Sequence, residues 1–321
     1  MKERSSNIEL LRILAMMAIV LGHCLRQNDC LLALPNMIFA SGMLRVAVNV
    51  FLIIGCWFMV DATFSWKRVF SLYRTLAFYS IPISALMFFL NPDASLRLVL
   101  RGVFPFFGCA VWFASAYISL IVLSPFLQHV FELPRSRQRA LVVAMLLLVG
   151  VPATLQPCQG YVADLLWFPC VYLMTGYVKH SARYAAFRGK WLALLLGCVM
   201  YGAMVLGARW GGPLAPLADG WLWGISTLPN LLCAFAVFTF FVKLDIGVIR
   251  PINFLAKSTF AVYVVHQTPA FMSYEWGRIW CVSSWGDVST ATLVLLLTAV
   301  VLGTFGAVTL VDTFVRRKLF H

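Results

Sequence analysis

The chain has 321 residues, a formal net charge of +13, and a composition that is 62% hydrophobic but only 12% charged. A soluble domain carries about twice that charged share, so an ordinary water-soluble fold is excluded. The mean hydropathy of +0.88 comes from long blocks without Asp, Glu, Lys or Arg, namely residues 102–131, 140–163, 220–242 and 288–311. Each block exceeds the roughly 20 apolar residues that cross a bilayer as a helix.

Ten helices are expected in chain order, near residues 8–26, 40–60, 75–91, 108–130, 140–156, 162–178, 191–208, 220–242, 254–275 and 288–312. The first starts close to Met1 and is followed by no small-residue cleavage site, so it is expected to be retained as a span. The connections 179–190 and 209–219 are too short to hold a core of their own. The expectation is an all-α, polytopic transmembrane bundle in one domain, residues 1–321, within a cell membrane. Trp66, Trp112, Trp167, Trp191, Trp210, Trp221 and Trp280 fall near expected span ends, as interfacial tryptophans do.

The excess positive charge lies between the spans. With the N-terminus in the cytoplasm, 18 of the 25 basic residues fall in inner segments and six in outer ones. This bias is the positive-inside pattern; it places both termini in the cytoplasm and removes the need for a nucleic-acid partner. The remaining basic residue, Arg12, lies inside the first span.

That span, NIELLRILAMMAIVLGHC (Asn7–Cys24), carries Arg12 and, eleven residues later, His23. Eleven steps of about 100° put both on one face, roughly 16 Å apart along the axis. Arg12 is expected near the cytoplasmic end and His23 toward the outer leaflet. Two readings compete. In the first, Arg12 snorkels to the cytoplasm and His23 merely ends the helix. In the second, both line one polar channel, because ionisable groups inside a membrane are costly and tend to serve function. A neutral imidazole takes up a proton near physiological pH, whereas a guanidinium stays charged and grips phosphate or carboxylate with two N–H groups.

Other residues add to this pattern. Lys67, Arg68 and Arg74 follow the second span, with Trp66 and Tyr73 beside them. The trio suits a phosphate-rich ligand, and it equally suits plain positive-inside topology. His266 is expected about a dozen residues into the ninth helix. Three roles are open to it: orienting an acceptor, sharing the base role, or hydrogen bonding between helices. Arg45 and Asn49 share a face at i and i+4 and are expected in the outer half of a cavity. Nine cysteines include no C-x-x-C and no zinc-type cluster, so no metal site is expected; a disulfide among Cys30, Cys158 and Cys281 stays open. No Gly-rich phosphate loop is present.

The segments taken together resemble the membrane acyltransferase 3 family. RILAMMAIVLGH matches its first helix, VNVFLIIGCWF (Val48–Phe58) its second, and FSWKRVFSLYR (Phe64–Arg74) the basic loop after it. VWFASAYISLIVLSPFL (Val111–Leu127) matches the Trp-Phe helix and FLAKSTFAVYVVHQ (Phe254–Gln267) the late Tyr-x-x-His helix. The chain departs from the family at Gly55-Cys56 for Ser-Gly, Asn49 for Asp, Ser71 for Arg, and Gln267 for an acidic residue.

The resemblance implies an integral membrane O-acyltransferase with no permanently bound cofactor. It implies that acyl-CoA, usually acetyl-CoA, is drawn from the cytoplasm and that the acyl group passes to a hydroxyl of a cell-surface glycan or lipid-linked sugar. On that basis His23 and Arg12 are the expected catalytic pair, and Lys67, Arg68, Arg74 and Trp66 the donor mouth. His266, Tyr263, Trp112, Asn49 and Arg45 are expected at the acceptor side. The alternatives are a transporter or flippase for an anionic or sugar substrate, and a non-catalytic membrane sensor; membrane lipid surrounds the protein in every case.

Overall fold

A computed structural model describes residues 5–27, 44–108, 111–155, 161–210, 224–286 and 288–320, and among them every regular element is helical. In chain order these are α1 (Ser6–Arg26), α2 (Val46–Met59), α3 (Trp66–Leu90), α4 (Leu96–Val103) and α5 (Trp112–Gln128). Then come α6 (Arg135–Met145), α7 (Val151–Leu155), α8 (Tyr161–Lys179), α9 (Ala182–Ala186), α10 (Lys190–Trp210) and α11 (Leu228–Val242). The chain ends with α12 (Arg250–Leu255), α13 (Thr259–Gln267), α14 (Pro269–Tyr274), α15 (Thr290–Val311) and α16 (Arg317–Leu319). Cys30, Cys158, Trp221 and most of the 209–219 connection lie outside the described residues.

Among the described residues, five helical stretches are long and apolar enough to cross a membrane: Ser6–Arg26, Trp66–Leu90, Trp112–Glu132, Arg135–Leu155 and Thr290–Leu319. Val46–Met59, Lys190–Ala203 and Leu228–Val242 are apolar but shorter. Large apolar side chains stand open on several of them, including Phe89, Leu148 and Leu295. Lipid tails cover such surfaces at no hydrophobic cost, so the protein is a membrane protein rather than a soluble one with an exposed core.

Four expected spans differ. The third begins at Trp66, so most of the expected basic loop Phe64–Arg74 is the start of α3, and the eighth begins at Leu228. In the other two, proline explains the difference. The expected helix at 254–275 is broken into α12, a 3₁₀ turn at Ala256–Ser258, α13, α14 and a π turn at Glu275–Ile279. Thr268 turns extended (ψ 118°) because Pro269 follows it; a residue before proline is pushed out of helical geometry, and proline itself offers no N–H. Between α6 and α7 a π turn at Leu146–Gly150 precedes Pro152, where one amide is again missing.

The chain divides into two compact units. The first comprises Met1–Ala15, Gly42–Ser65 and Ser119–Val248. Its helices are tied at their carbonyl ends, where the last turn leaves acceptors without partners. The Asn7 side-chain amide donates to the carbonyls of Phe241 and Leu244 at 2.8 and 2.7 Å, fixing the start of α1 to the end of α11. Gln128 donates to the carbonyls of Val60 and Ala62 at 3.2 and 2.9 Å after α2. Lys179, at the end of α8, donates to the Trp57 carbonyl and pairs with Asp61, which also meets His180 at 2.8 Å. At the centre, Asn49 on α2 donates to the Ile225 carbonyl (2.7 Å) and Asn230 Oδ1 (3.0 Å), and accepts from the Trp167 indole (3.0 Å). Gly176 lets α8 pass the Phe131 ring: a Cβ there would lie 2.1 Å from that ring.

The second unit comprises Met16–Ser41, Trp66–Ile118 and Ile249–His321. α13 packs between α3 and α15. Asn91, past the end of α3, donates to the Ala270 carbonyl at 2.9 Å and to Ser273 Oγ at 3.0 Å. Ser80 on α3 donates to the Gly102 carbonyl at 2.7 Å, and Gly102 is where α4 closes on Ser84. Asp312 is wholly buried and accepts from Tyr79 (2.7 Å), Ser258 (2.9 Å), Arg317 (2.8 Å) and Arg316. A buried carboxylate is tolerated when its lone pairs are met in this way.

Candidate active site

α1 carries both residues that the sequence singles out. Arg12 lies in the part of α1 that belongs to the first unit, and it is not a lone charge. Its Nη1 reaches both oxygens of Glu9, one turn earlier, at 3.2 and 3.0 Å. The Glu9 side chain is 5% exposed and that of Arg12 is 21% exposed, so the pair is shielded and lowers the cost of holding a guanidinium there. A single nitrogen serves both oxygens, which leaves the rest of the fork for another anion. Glu9 at i−3 is readable from the sequence, and it is the partner that the first-helix motif alone does not supply.

His23 lies in the second unit, where it is half-buried. Its Nδ1 is 3.0 Å from Nε2 of His266, which is wholly buried on α13. The Gln267 carboxamide is 2.9 Å from the same Nδ1. His266 is fixed in turn by a 2.6 Å contact from its Nδ1 to the Val262 carbonyl. The contact with His23 is a hydrogen bond between helices, one of the three roles open to His266.

Aromatic side chains line this pair. Tyr263, one turn before His266 on α13, packs edge-on against it with ring centres 6.0 Å apart. The Tyr263 hydroxyl accepts from the Phe113 amide at 3.3 Å, and its ring meets that of Phe113 at 5.6 Å. Trp112 is the next residue, packed edge-on against Phe113 at 5.8 Å. The structure therefore gathers His23, His266, Tyr263 and Trp112 in one neighbourhood and adds Gln267 and Phe113. Both directly follow residues that the sequence singles out, Trp112 and His266, but their contacts cross 150 and 244 positions, which no spacing reveals.

Trp66, Lys67, Arg68 and Arg74 occupy the first turns of α3 in the second unit, and all four are exposed. Trp66 faces Phe70 with ring centres 6.1 Å apart, and the Arg74 guanidinium lies 4.4 Å above the Phe320 ring. Asn49 and Arg45 belong to the first unit. Both Asn49 amide hydrogens and its oxygen are engaged in the network tying α2 to α8 and α11, so it serves as a fastener between helices. Arg45 stands at the start of α2, half-buried. Among the described residues no cluster of His, Cys, Asp and Glu has the makings of a metal site.

A helical membrane protein with an imidazole held by a second imidazole, beside an aromatic wall, has the equipment to take a proton from a hydroxyl. Its class is that of a membrane acyltransferase. The model of the acyltransferase 3 family, an acyltransferase domain, matches residues 5–312, and the chain belongs to that family. No curated protein and no solved structure matches it. Membership in an enzyme family decides against the transporter and sensor alternatives.

Proposed function

We propose that this protein is a multi-pass O-acyltransferase of the cell membrane, with ten spans and both termini in the cytoplasm. It moves an acyl group, in the simplest case acetyl, from cytoplasmic acyl-CoA to a hydroxyl of a cell-surface glycan or lipid-linked sugar. The observation that carries this reading is the His23–His266 pair, a half-buried imidazole held from behind within a chain that belongs to an acyltransferase family.

In this mechanism His23 takes the acceptor's hydroxyl proton as its oxygen attacks the thioester carbonyl. The tetrahedral intermediate collapses with loss of the coenzyme A thiolate, which recovers the proton. The products are the O-acyl ester and free coenzyme A. General-base assistance of this kind contributes about a hundred- to ten-thousand-fold. Lys67 and Arg68 are exposed and suit the donor's phosphates, and the open face of Trp66 suits its adenine. Arg12 keeps donors beyond those given to Glu9 and suits an anionic group of the donor. Tyr263, buried and packed edge-on against His266, backs the pair, and the half-buried Trp112 ring suits a sugar-sized acceptor.

Transfer from radiolabelled acetyl-CoA by purified protein in nanodiscs tests this. His23→Ala should abolish transfer and acyl-CoA hydrolysis while insertion and monodispersity are kept. Turnover by His23→Ala within about tenfold of the parent, against the hundredfold that a base supplies, would overturn the assignment.

A further inference from the structure

The contacts around His23 determine where its proton sits. His266 Nδ1 lies 2.6 Å from the Val262 carbonyl oxygen. A carbonyl oxygen only accepts, so this nitrogen carries the hydrogen, and in a neutral ring Nε2 is then bare. That bare Nε2 is 3.0 Å from His23 Nδ1. Two bare nitrogens at this distance repel, so His23 carries its hydrogen on Nδ1 and donates it. His23 Nε2 is left with the lone pair.

The competing assignment protonates both nitrogens of His266. It places an imidazolium where no surface is exposed, at an effective cost of several kcal/mol, and among the described residues no carboxylate hydrogen-bonds to either ring. Gln267 then follows. A protonated Nδ1 has no lone pair for an amide N–H. The Gln267 amide end that lies 2.9 Å away, placed as Nε2 and also 4.0 Å from Met272 Sδ, is therefore reassigned as the oxygen, because the hydrogen-bond network decides which end faces the ring.

We infer that His266 and Gln267 are positioning residues that lock His23 as the Nδ1–H tautomer and so make Nε2 its basic nitrogen. The inference rests on His23 being the base of the proposed transfer. When Nε2 takes the acceptor's proton, the ring becomes an imidazolium whose Nδ1–H already faces two acceptors, His266 Nε2 and the Gln267 oxygen. Nothing needs to rotate at that moment. A carboxylate commonly does this work behind a catalytic histidine. Here a neutral imidazole anchored on a backbone carbonyl does it, beside an amide.

The test is the ¹⁵N spectrum of protein labelled at its five histidines and held in nanodiscs, with His23 assigned by the signals lost in His23→Gln. A protonated Nδ1 and a bare Nε2 at His23 are expected; the reverse pattern overturns the inference. His266→Leu removes the main acceptor, so kcat should fall about a hundredfold or more with the KM for acetyl-CoA unchanged. An unchanged kcat overturns it.

His266→Gln returns an acceptor oxygen near the former Nε2 position and should recover part of the loss. Gln267→Glu covers the case in which changes at 266 do not fold. A carboxylate can only accept, so this variant should leave the His23 ¹⁵N pattern of the parent, Nδ1 protonated and Nε2 bare, unchanged. A shift of the proton from Nε2 to Nδ1 on this substitution would mean that Gln267 normally donates to Nδ1, and the inference fails. Failure of the base reading is separate: it shows as an active His23→Ala, whereas failure of the inference shows as the reversed tautomer in an enzyme that still needs His23.

Discussion

Asn49→Ala separates a residue that holds the membrane fold from one that touches substrate. Asn49 makes three hydrogen bonds to three different groups, all within the first unit. Side-chain hydrogen bonds between membrane helices average about 0.6 kcal/mol each, so loss of the bonds to Ile225 and Asn230 costs about 1 kcal/mol. The Trp167 indole is wholly buried, and stranding its N–H costs about 1–3 kcal/mol. The expected destabilisation is therefore about 2–4 kcal/mol. Unfolding in detergent, followed by tryptophan emission against denaturant, reads this directly, while acetyl-CoA turnover is normalised to the folded fraction. Turnover per folded molecule should be unchanged. Trp167→Phe should cost less, and the double variant should cost less than the sum, because the two side chains share one bond. An unaltered unfolding midpoint with a raised KM would refute this and move Asn49 to the acceptor side.

Replacing Lys67 and Arg68 together with Ala should raise the KM for acetyl-CoA several-fold and affect acetyl donors lacking the nucleotide much less; an equal effect on both donors would reduce the pair to topology. A reporter fused after Arg139 or Lys190 should label as cytoplasmic and one in the 209–219 connection as external; the opposite result at either inner site would sink the ten-span arrangement. Gly176→Ala should lower stability by about 1–3 kcal/mol by driving a methyl into the Phe131 ring, and Phe131→Leu should relieve it. At Asp61 burial acts against ionisation, but hydrogen bonds from Lys179 and His180 outweigh it and hold the carboxyl below its usual value. Its contribution is therefore complete above the unfolded carboxylate range, near pH 4, and is lost as pH falls through the lower folded value. Asp61→Asn should accordingly be less stable at pH 7 and indistinguishable at pH 2–3; a deficit that persists in acid would contradict this.

The helical fold was legible because its signal is local. Residues 290–311 announce themselves by a composition without a single charge, and residues 6–26 by an apolar run broken only by a few polar groups such as Glu9, Arg12 and His23; a run of 20 such residues has few stable alternatives. The breaks were legible in principle, since Pro269 and Pro152 are plain in the sequence. Proline alone does not decide, because it is ordinary within membrane helices and only packing determines whether it kinks a helix or ends it. The ties between helices were not legible at all. Asn7 donates to carbonyls 234 and 237 positions away, and Asn91 to one 179 positions away. The acceptor in each case is backbone, identical for every residue type, so no pattern marks it in advance.

The site divides in the same way. Arg12 and His23 stand out because each is expensive where it lies, and the cost shows in one dimension. What makes His23 usable lies in a second helix and depends on orientation. Val262 contributes nothing but its carbonyl, yet that oxygen fixes His266, and His266 decides which nitrogen of His23 is bare. The Pro269 break belongs to the same device: it ends α13 directly after Gln267, so the imidazole and the amide lie together in the last turn and reach one atom of the facing helix. An acidic residue at position 267 would hold the proton on Nδ1 by charge. With glutamine there, the task falls to geometry, and it is geometry that a composition or a spacing does not record.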